Sequence, residues 1–260
     1  MRLLVTGAAG LLGRELLRTA DHEVVPAYHS QVVPGGVQFD VRRRDVVREV
    51  IRSVRPDGII HTAYKRDDWA ATADGAVNVA LEADGARLVF VSSDAVFGPR
   101  EAAYTEHELP CPITPYGAAK AAAETAILAI RPGAVIARTS IIVGSDGRSG
   151  EEQRVRRFAA GEPGVFYTGN IRCPVHVSDL ASALLELLVS DVIGVTHVAG
   201  PQAISRFDLG RLIALRDGLD PQALPSAPGT PSNIRLDSRG TQDVLQTRLR
   251  PASEFLLSRR

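Results

Sequence analysis

The sequence predicts an α/β protein built on a doubly wound parallel sheet, with a small C-terminal annex. Over roughly the first 140 residues, short β-branched runs alternate with longer helical patterns, which is typical of parallel strands covered by helices. Right-handed crossovers would place a ligand crevice at the carboxyl ends of the strands. Strand candidates are 2–6, 23–28, 37–40, 58–62, 87–92 and 134–139, and helix candidates are 11–20, 43–54, 70–84 and 116–130.

A glycine-rich turn directly follows the first strand. Residues 6–13 read TGAAGLLG, and this spacing after a strand and before a helix is that of a dinucleotide fingerprint. Gly7 permits the tight turn, Gly10 lets the backbone approach a pyrophosphate, and the helix N-terminus adds partial positive charge. The motif predicts a Rossmann-type NAD(P) site with contacts from Gly7, Ala9, Gly10, Leu11 and Leu12.

The second strand should end beside the adenosine ribose of that cofactor. An acidic residue there would bond the 2′-hydroxyl and favour NAD, but none is present. His29 and Ser30 are placed to face a 2′-phosphate, which tilts the prediction slightly from NAD toward NADP, although a simple loop explains them equally well. Thr62, Ala63 and Tyr64 follow the fourth strand, and by position they should also line the cofactor.

A phenol and an ammonium share one face of the fourth predicted helix. Tyr116 and Lys120 are four residues apart, and Pro115 before them and the alanine-rich run 118–126 favour a helix. The chain has only two lysines, so a lysine at this spacing suggests a role that arginine cannot fill. Ser93 ends the fifth strand and should face the same crevice.

Composition excludes several classes of function. Thirty acidic residues balance thirty basic ones, which disfavours nucleic acid or an anionic membrane as a partner. No run of 18 apolar residues exists, so a membrane-spanning segment is not expected. The two cysteines and the scattered histidines suggest neither a disulfide framework nor a metal site, and a reducing cytoplasm is the predicted location.

After Gly144 the alternation weakens, and a second region is predicted. An arginine-rich helix near 151–160, a helix at 178–190, a strand at 194–199 and a helix at 206–216 follow, and the proline-rich segment 220–233 should be extended or irregular. We predict an NAD(P)-binding domain from 1–143 and 175–203, and a substrate-binding annex from 144–174 and 204–260.

Together these motifs resemble the extended short-chain dehydrogenase/reductase family, and its dTDP-4-dehydrorhamnose reductase branch in particular. The similarity covers nearly the whole chain. It rests on TGAAGLLG at 6–13, Ser-Ser-Asp-x-Val-Phe at 92–97, Tyr-x-x-x-Lys at 116–120 continued to Glu124, the stretch 172–181, and Pro-Ser-Asn-Ile-Arg-Leu-Asp at 231–237.

The resemblance implies roles for the candidate residues. Tyr116 would give its phenolic proton to a carbonyl oxygen as hydride arrives, and Ser93 would bond the same oxygen. Lys120 would hold the nicotinamide ribose and act as the cation that lowers the phenol's pKa. Asp40 would meet the adenine, with Val41 beside it, and Asp94, Ile141 and Arg172 would contact a nucleotide-sugar substrate. Related proteins suggest a homodimer through 70–84 and 116–130.

The chain also departs from the family that it resembles. Dehydratases carry an Asp-Glu pair where this chain has Asp94-Ala95, so dehydration is not expected. Ala95 and Ile141 replace aromatic residues of the reductases, so the sequence does not predict which sugar is bound. The leading hypothesis is an NAD(P)H-dependent reductase of a nucleotide-linked deoxysugar. A sugar-nucleotide epimerase, or a non-catalytic NADP-binding regulatory subunit like that of methionine adenosyltransferase, stays as an alternative.

Overall fold

The computed structural model describes residues 1–229 and 232–257, and its largest element is a seven-stranded sheet. In chain order the strands are β1 Arg2–Thr6, β2 Glu23–Tyr28, β3 Val37–Gln38, β4 Gly58–His61, β5 Arg87–Ser93, β6 Val135–Thr139, β7 Ile142–Val143, β8 Phe166–Tyr167, β9 Ile171–Arg172, β10 Val175–His176, β11 Gly194–His197, β12 Ile204–Ser205 and β13 Ser226–Ala227. The order across the large sheet is β11-β6-β5-β4-β1-β2-β3.

The helices follow the predicted pattern. They are α1 Leu11–Thr19, α2 Arg44–Val54, α3 Gly75–Glu82, α4 Pro115–Ile130, α5 Gly150–Ala159, α6 Val177–Val189, α7 Arg206–Arg216, α8 Arg239–Val244 and α9 Ala252–Leu257. A π-helical turn, Ala70–Asp74, runs directly into α3, and short 3-10 turns cover Asp94–Val96 and Pro221–Ala223. A π-helical turn inside a helix is frequent near functional sites.

Apolar side chains of three helices cover one face of the sheet. Val47 and Ile51 of α2, Val79 of α3 and Ile127 of α4 belong to one buried cluster with strand residues such as Phe90. The strands β1, β2, β4 and β5 pair in parallel, and β1 and β4 are almost completely buried because both faces are covered.

The predicted fold class is confirmed. Every strand candidate and every helix candidate of the first 140 residues is found, with ends that differ by one or two residues, except that 70–84 is a π-helical turn followed by the shorter α3. The C-terminal helices predicted at 151–160, 178–190 and 206–216 are α5, α6 and α7. The strand predicted at 194–199 is the shorter β11, which joins the edge of the large sheet.

The chain forms two compact units. The first contains Met1–Phe97, Leu109–Arg138 and Ala181–Thr196, and the second contains Gly98–Glu108, Thr139–Leu180 and the residues from His197 onward. The predicted division at 143, 174 and 203 places Gly98–Glu108 in the first part, whereas that segment belongs to the second unit. The predicted domains and their cofactor and substrate roles stay predictions.

The second unit has a core of its own. Phe166, Leu209 and Ile213 pack in its buried cluster, and Ser149 and Glu152 form a capping box at the start of α5. The segment 220–233, predicted to be extended or irregular, contains a 3-10 turn and the short strand β13, which pairs with β8. Pro231 of the predicted motif 231–237 lies outside the described residues.

Within those described ranges, none of the helices combines the length and the apolar character that crossing a membrane requires.

Candidate active site

The glycine turn after β1 has the shape that a dinucleotide site needs. Gly7 has a φ of 67°, and a Cβ there would lie 2.7 Å from Thr62 Oγ1 and 2.8 Å from Ala63 N. A Cβ on Gly13 would lie 2.3 Å from the carbonyl oxygen of Gly7. Gly10 begins α1 without a side-chain cap, so the first N–H groups of that helix are open to an anion. The local structure therefore fits a cofactor pyrophosphate at this turn.

Thr6 ties the glycine turn to the end of β4. Its buried hydroxyl accepts bonds from Thr62 N at 3.2 Å and Ala63 N at 3.3 Å, and it lies 2.7 Å from His61 Nδ1. Since the hydroxyl accepts twice, its own proton goes to Nδ1, which leaves the imidazole proton on Nε2. Burial, with the nearby Lys120, lowers the His61 pKa to about 3, so the ring is neutral near pH 7.

The predicted cofactor contacts around β4 differ in exposure. Thr62 and Ala63 are half-buried, and Tyr64 is exposed, with its ring centroid 5.6 Å from that of Tyr116. Ala9 and Leu11 are half-buried beside the exposed Gly10, whereas Leu12 is a core residue. The side chain of Val41 is also buried in the core, and its carbonyl accepts a bond from Asn78 at 2.9 Å.

An arginine that the sequence analysis missed lies at the predicted adenosine end. Arg42 Nη2 lies 3.5 Å from His29 Nε2 and 2.6 Å from Asp40 Oδ2, and Ser30 is exposed next to this group. Hydrogen bonds from Arg42 hold the pKa of the Asp40 carboxyl below its usual range. The available signal was the position of Arg42 two residues after Asp40.

The predicted serine and tyrosine are brought together. Ser93 ends β5, and Tyr116 lies in the first turn of α4, which Thr114 caps by accepting a bond from Gly117 N at 3.1 Å. The Ser93 side chain acts on the Tyr116 phenol as a hydrogen-bonding group and lowers its pKa. Ser93 Oγ also accepts from Ala95 N at 3.2 Å and lies 3.3 Å from the buried Asp94 carboxylate. The two hydroxyls can therefore act on one oxygen atom.

Glycine at position 117 allows the start of α4 to approach the end of β5. A Cβ on Gly117 would lie 1.9 Å from the carbonyl oxygen of Ala95, which is far inside van der Waals contact. Only glycine lets the start of α4 lie against the turn that follows β5. The sequence analysis did not single out this glycine, because its meaning depends on a contact between distant segments.

The Lys120 ammonium contacts the backbone of β5 and two aromatic rings. Its ammonium is buried, donates to the Val91 carbonyl at 2.8 Å, and lies 4.5 Å from the ring centroid of Phe90 and 5.2 Å from that of Tyr64. Burial lowers the Lys120 pKa to about 7, and the carboxylate of Glu124 opposes this effect.

Several groups around Tyr116 act on the pKa of its phenol. Burial and the neighbouring Tyr64 raise the Tyr116 pKa above its usual value, and the bond from Ser93 and the charge of Arg66 lower it. The expected role of Lys120 as the cation that lowers the Tyr116 pKa stays a prediction. Its predicted contact with a nicotinamide ribose stays a prediction.

A buried network lies beneath Lys120. Arg138 of β6 donates to both carboxylate oxygens of Glu124, at 2.8 Å and 3.1 Å, and Ser92 donates to the same carboxylate. The side chains of this ion pair are only 2% and 3% exposed. Ser92 therefore supports the end of β5 through its bond to Glu124. Glu124, four residues after Lys120, joins α4 to both β5 and β6.

Two of the predicted substrate contacts lie in the second unit. Ile141 packs against that unit's core, and its carbonyl accepts from Val175 N at 2.9 Å. Arg172 donates to the Ile171 carbonyl at 2.8 Å and to the Ser232 carbonyl. Asp94 belongs to the first unit, next to Ser93, so a shared substrate site with Ile141 and Arg172 stays a prediction. No cluster of metal-binding side chains occurs in residues 1–229 or 232–257.

A parallel sheet whose first strand ends in a glycine turn, and whose fifth strand presents a serine to the tyrosine of a Tyr-x-x-x-Lys helix, characterises the extended short-chain dehydrogenase/reductases. Within that class, the chain belongs to the family described as RmlD substrate binding domain, whose model matches residues 1–251.

Individual relatives agree with this membership. The chain is 30% identical to a dTDP-4-dehydrorhamnose reductase of Mycolicibacterium smegmatis, over 98% of this chain and 84% of that protein. It is 28% identical to methionine adenosyltransferase 2 subunit beta of Danio rerio, over 93% of this chain and 80% of the relative. The crystal structure of a Bacillus anthracis dTDP-4-dehydrorhamnose reductase in complex with NADP has a TM-score of 0.85 at 24% identity, with 98% and 96% of the two chains covered, and shows the shared fold.

Proposed function

We propose that the chain is an NAD(P)H-dependent reductase that delivers hydride to the keto group of a nucleotide-linked deoxysugar, as its dTDP-4-dehydrorhamnose reductase relatives are named to do. The observation that carries the proposal is that Ser93, at the end of β5, lies beside Tyr116 in the first turn of α4, one strand away from β4 and two from the glycine turn of β1. Such a pair can bind and protonate one carbonyl oxygen.

The residues at the turn fit the cofactor. The pyrophosphate would lie at Gly7, Gly10 and the uncapped start of α1, where a Cβ on Gly7 would meet Thr62 and Ala63. The adenosine would lie toward His29 and Asp40. When bound, a reduced nicotinamide supplies the hydride. The cofactor is NADP or NAD, and the relative from Bacillus anthracis was crystallised with NADP.

The chain's own groups handle the proton. In the reduction, hydride adds to the carbonyl carbon and the Tyr116 hydroxyl gives its proton to the carbonyl oxygen, which becomes the new alcohol. Ser93 donates a hydrogen bond to the same oxygen as negative charge develops there. Lys120, with a pKa of about 7, can hold or release a proton near neutral pH and would bind the ribose hydroxyls.

A second candidate function follows from the similarity to methionine adenosyltransferase 2 subunit beta. A chain of that kind would bind NADP and a protein partner without turnover. The test is NADPH oxidation, followed at the nicotinamide absorbance with dTDP-4-dehydrorhamnose, next to a direct titration of NADPH binding. Oxidation of NADPH with stoichiometric reduction of the ketosugar to the alcohol supports the reductase. Tight cofactor binding without oxidation of this or other nucleotide ketosugars supports the binding subunit instead.

The cofactor preference should depend on Arg42. We expect Arg42→Gln to raise the KM for NADPH about tenfold and to leave the KM for NADH nearly unchanged, because a guanidinium binds a 2′-phosphate that NADH lacks. Steady-state kinetics with both cofactors measure the effect. The matched control is Arg43→Gln, whose exposed guanidinium pairs with Asp45 at 2.7 Å. Equal weakening of both cofactors would show that Arg42 only positions Asp40.

Two further predictions of the sequence analysis belong to the proposal. A cytoplasmic location follows from the cysteine content, and a homodimer through the region of α3 and α4 follows from the resemblance. Light scattering of the purified chain measures the second.

A further inference from the structure

A short loop after β4 is fixed in place by its own hydrogen bonds. Lys65 N donates to Thr72 Oγ1 at 3.1 Å, and the same hydroxyl donates to the Lys65 carbonyl at 2.7 Å. Asp68 N also donates to that carbonyl, at 3.0 Å, and Asp68 Oδ1 accepts from Ala71 N at 2.9 Å. Thr72 is buried, so the loop backbone is held without any contribution from the side chain of Arg66.

The loop carries Arg66 to the face of the tyrosine ring. The Arg66 guanidinium carbon lies 4.9 Å from the ring centroid of Tyr116. Arg66 is exposed, and within the part of the chain that the structure describes its guanidinium has no carboxylate partner. By contrast, the nearby Arg42 and Arg44 are both paired with carboxylates. Among the described residues, no ion pair therefore accounts for a charge at this position.

We propose that Arg66 is a positioning residue for proton transfer, whose guanidinium stabilises the negative charge that Tyr116 acquires when its hydroxyl gives up a proton. The charge of a phenolate spreads into its ring, and a cation over the ring face attracts that charge more strongly than it attracts the neutral phenol. The contact is thus stronger after proton transfer than before it, which is the condition for raising kcat.

Other charges around Tyr116 leave this role to Arg66. Asp94, next to Ser93, and the phenol of Tyr64 oppose ionisation, and Ser93 assists it through a hydrogen bond. On the tyrosine's own helix, the Lys120 ammonium donates to the Val91 carbonyl and is shared between the rings of Phe90 and Tyr64. Arg66 is therefore the cation that contacts the Tyr116 ring in this arrangement.

The first experiment does not need a substrate. Tyr116 is replaced by difluorotyrosine, which ionises in an accessible pH range, and its fluorine resonances are titrated by NMR. With Arg66→Gln we expect the ionisation midpoint to rise by about one pH unit, with a smaller rise for Arg66→Lys. The control Arg52→Gln removes another exposed arginine, on α2, and should leave the midpoint unchanged. An unchanged midpoint in Arg66→Gln overturns the proposal.

The second experiment concerns turnover and rests on the proposed function. At neutral pH, Arg66→Gln should lower kcat about tenfold and leave the KM for the ketosugar unchanged, and Arg66→Lys should recover part of the loss. A raised KM with an unchanged kcat would mean that Arg66 binds the substrate instead, which overturns the proposal. If the wild type turns over no ketosugar, the proposed function fails, while the fluorine titration still decides the role of Arg66.

Discussion

Replacement of Tyr116 by phenylalanine is expected to lower kcat by about 10²-fold to 10⁴-fold, the range in which positioned acids and bases contribute. Phenylalanine keeps the ring that contacts Tyr64 and Arg66, so the packing of α4 should not change. Only the hydroxyl that lies beside Ser93 is removed. NADPH oxidation with the nucleotide ketosugar measures kcat, and fluorescence titration measures cofactor binding, which should stay close to that of the wild type.

A matched control for this variant is Tyr167→Phe. Tyr167 is a half-exposed tyrosine of the second unit, and removal of its hydroxyl should not change kcat. Retention of more than about a tenth of the wild-type kcat in Tyr116→Phe would contradict the assignment of this phenol as the proton donor. Loss of cofactor binding together with activity would instead show that the variant disturbs the site as a whole.

Removal of the Glu124 carboxylate should have the largest effect on stability. We expect Glu124→Ala to lower the free energy of unfolding by about 3–5 kcal/mol, because Arg138 would remain charged and buried without its partner. Ser92 would also lose its acceptor. Urea unfolding, followed by circular dichroism, measures the change. The control is Glu162→Ala, which breaks an exposed ion pair with Arg157 and should change stability little.

A double variant makes this prediction specific to the pair. In Glu124→Gln with Arg138→Gln no buried charge is left alone, so the loss of stability should be smaller than in Glu124→Ala. If the losses of stability in Glu124→Gln alone and in Arg138→Gln alone add up to the loss in the double variant, the two side chains are not coupled, which would contradict the prediction. Since Glu124 also raises the Lys120 pKa against the lowering effect of burial, its loss should favour the neutral amine further.

The sequence was informative where a signal is local. The glycine turn, the Tyr-x-x-x-Lys spacing and the alternation of strands and helices each depend on residues a few positions apart, and the structure has them at the predicted places. The sequence also predicted that Tyr116 and Ser93 lie close together, because consecutive parallel strands end at the same edge of a sheet.

The remaining parts of the site arise from contacts between distant segments. Arg66 reaches Tyr116 from another loop, and Arg138 reaches Glu124 from another strand. Nothing in their local sequence distinguishes them from the many surface arginines of this chain. The surroundings of Lys120 could not be predicted for a related reason: the spacing fixes the helix face, but the ammonium donates to the carbonyl of Val91, which belongs to another element.

Glycine at position 117 limits which variants of the start of α4 can be active. A library that randomises the helix start should return glycine there in every active member, whatever residues it accepts at the neighbouring positions, since even one methyl group would meet the oxygen of Ala95. Glycine at position 117 therefore determines how closely Tyr116 can approach Ser93. Variants designed to accept other ketones should keep this glycine and change the surrounding loops.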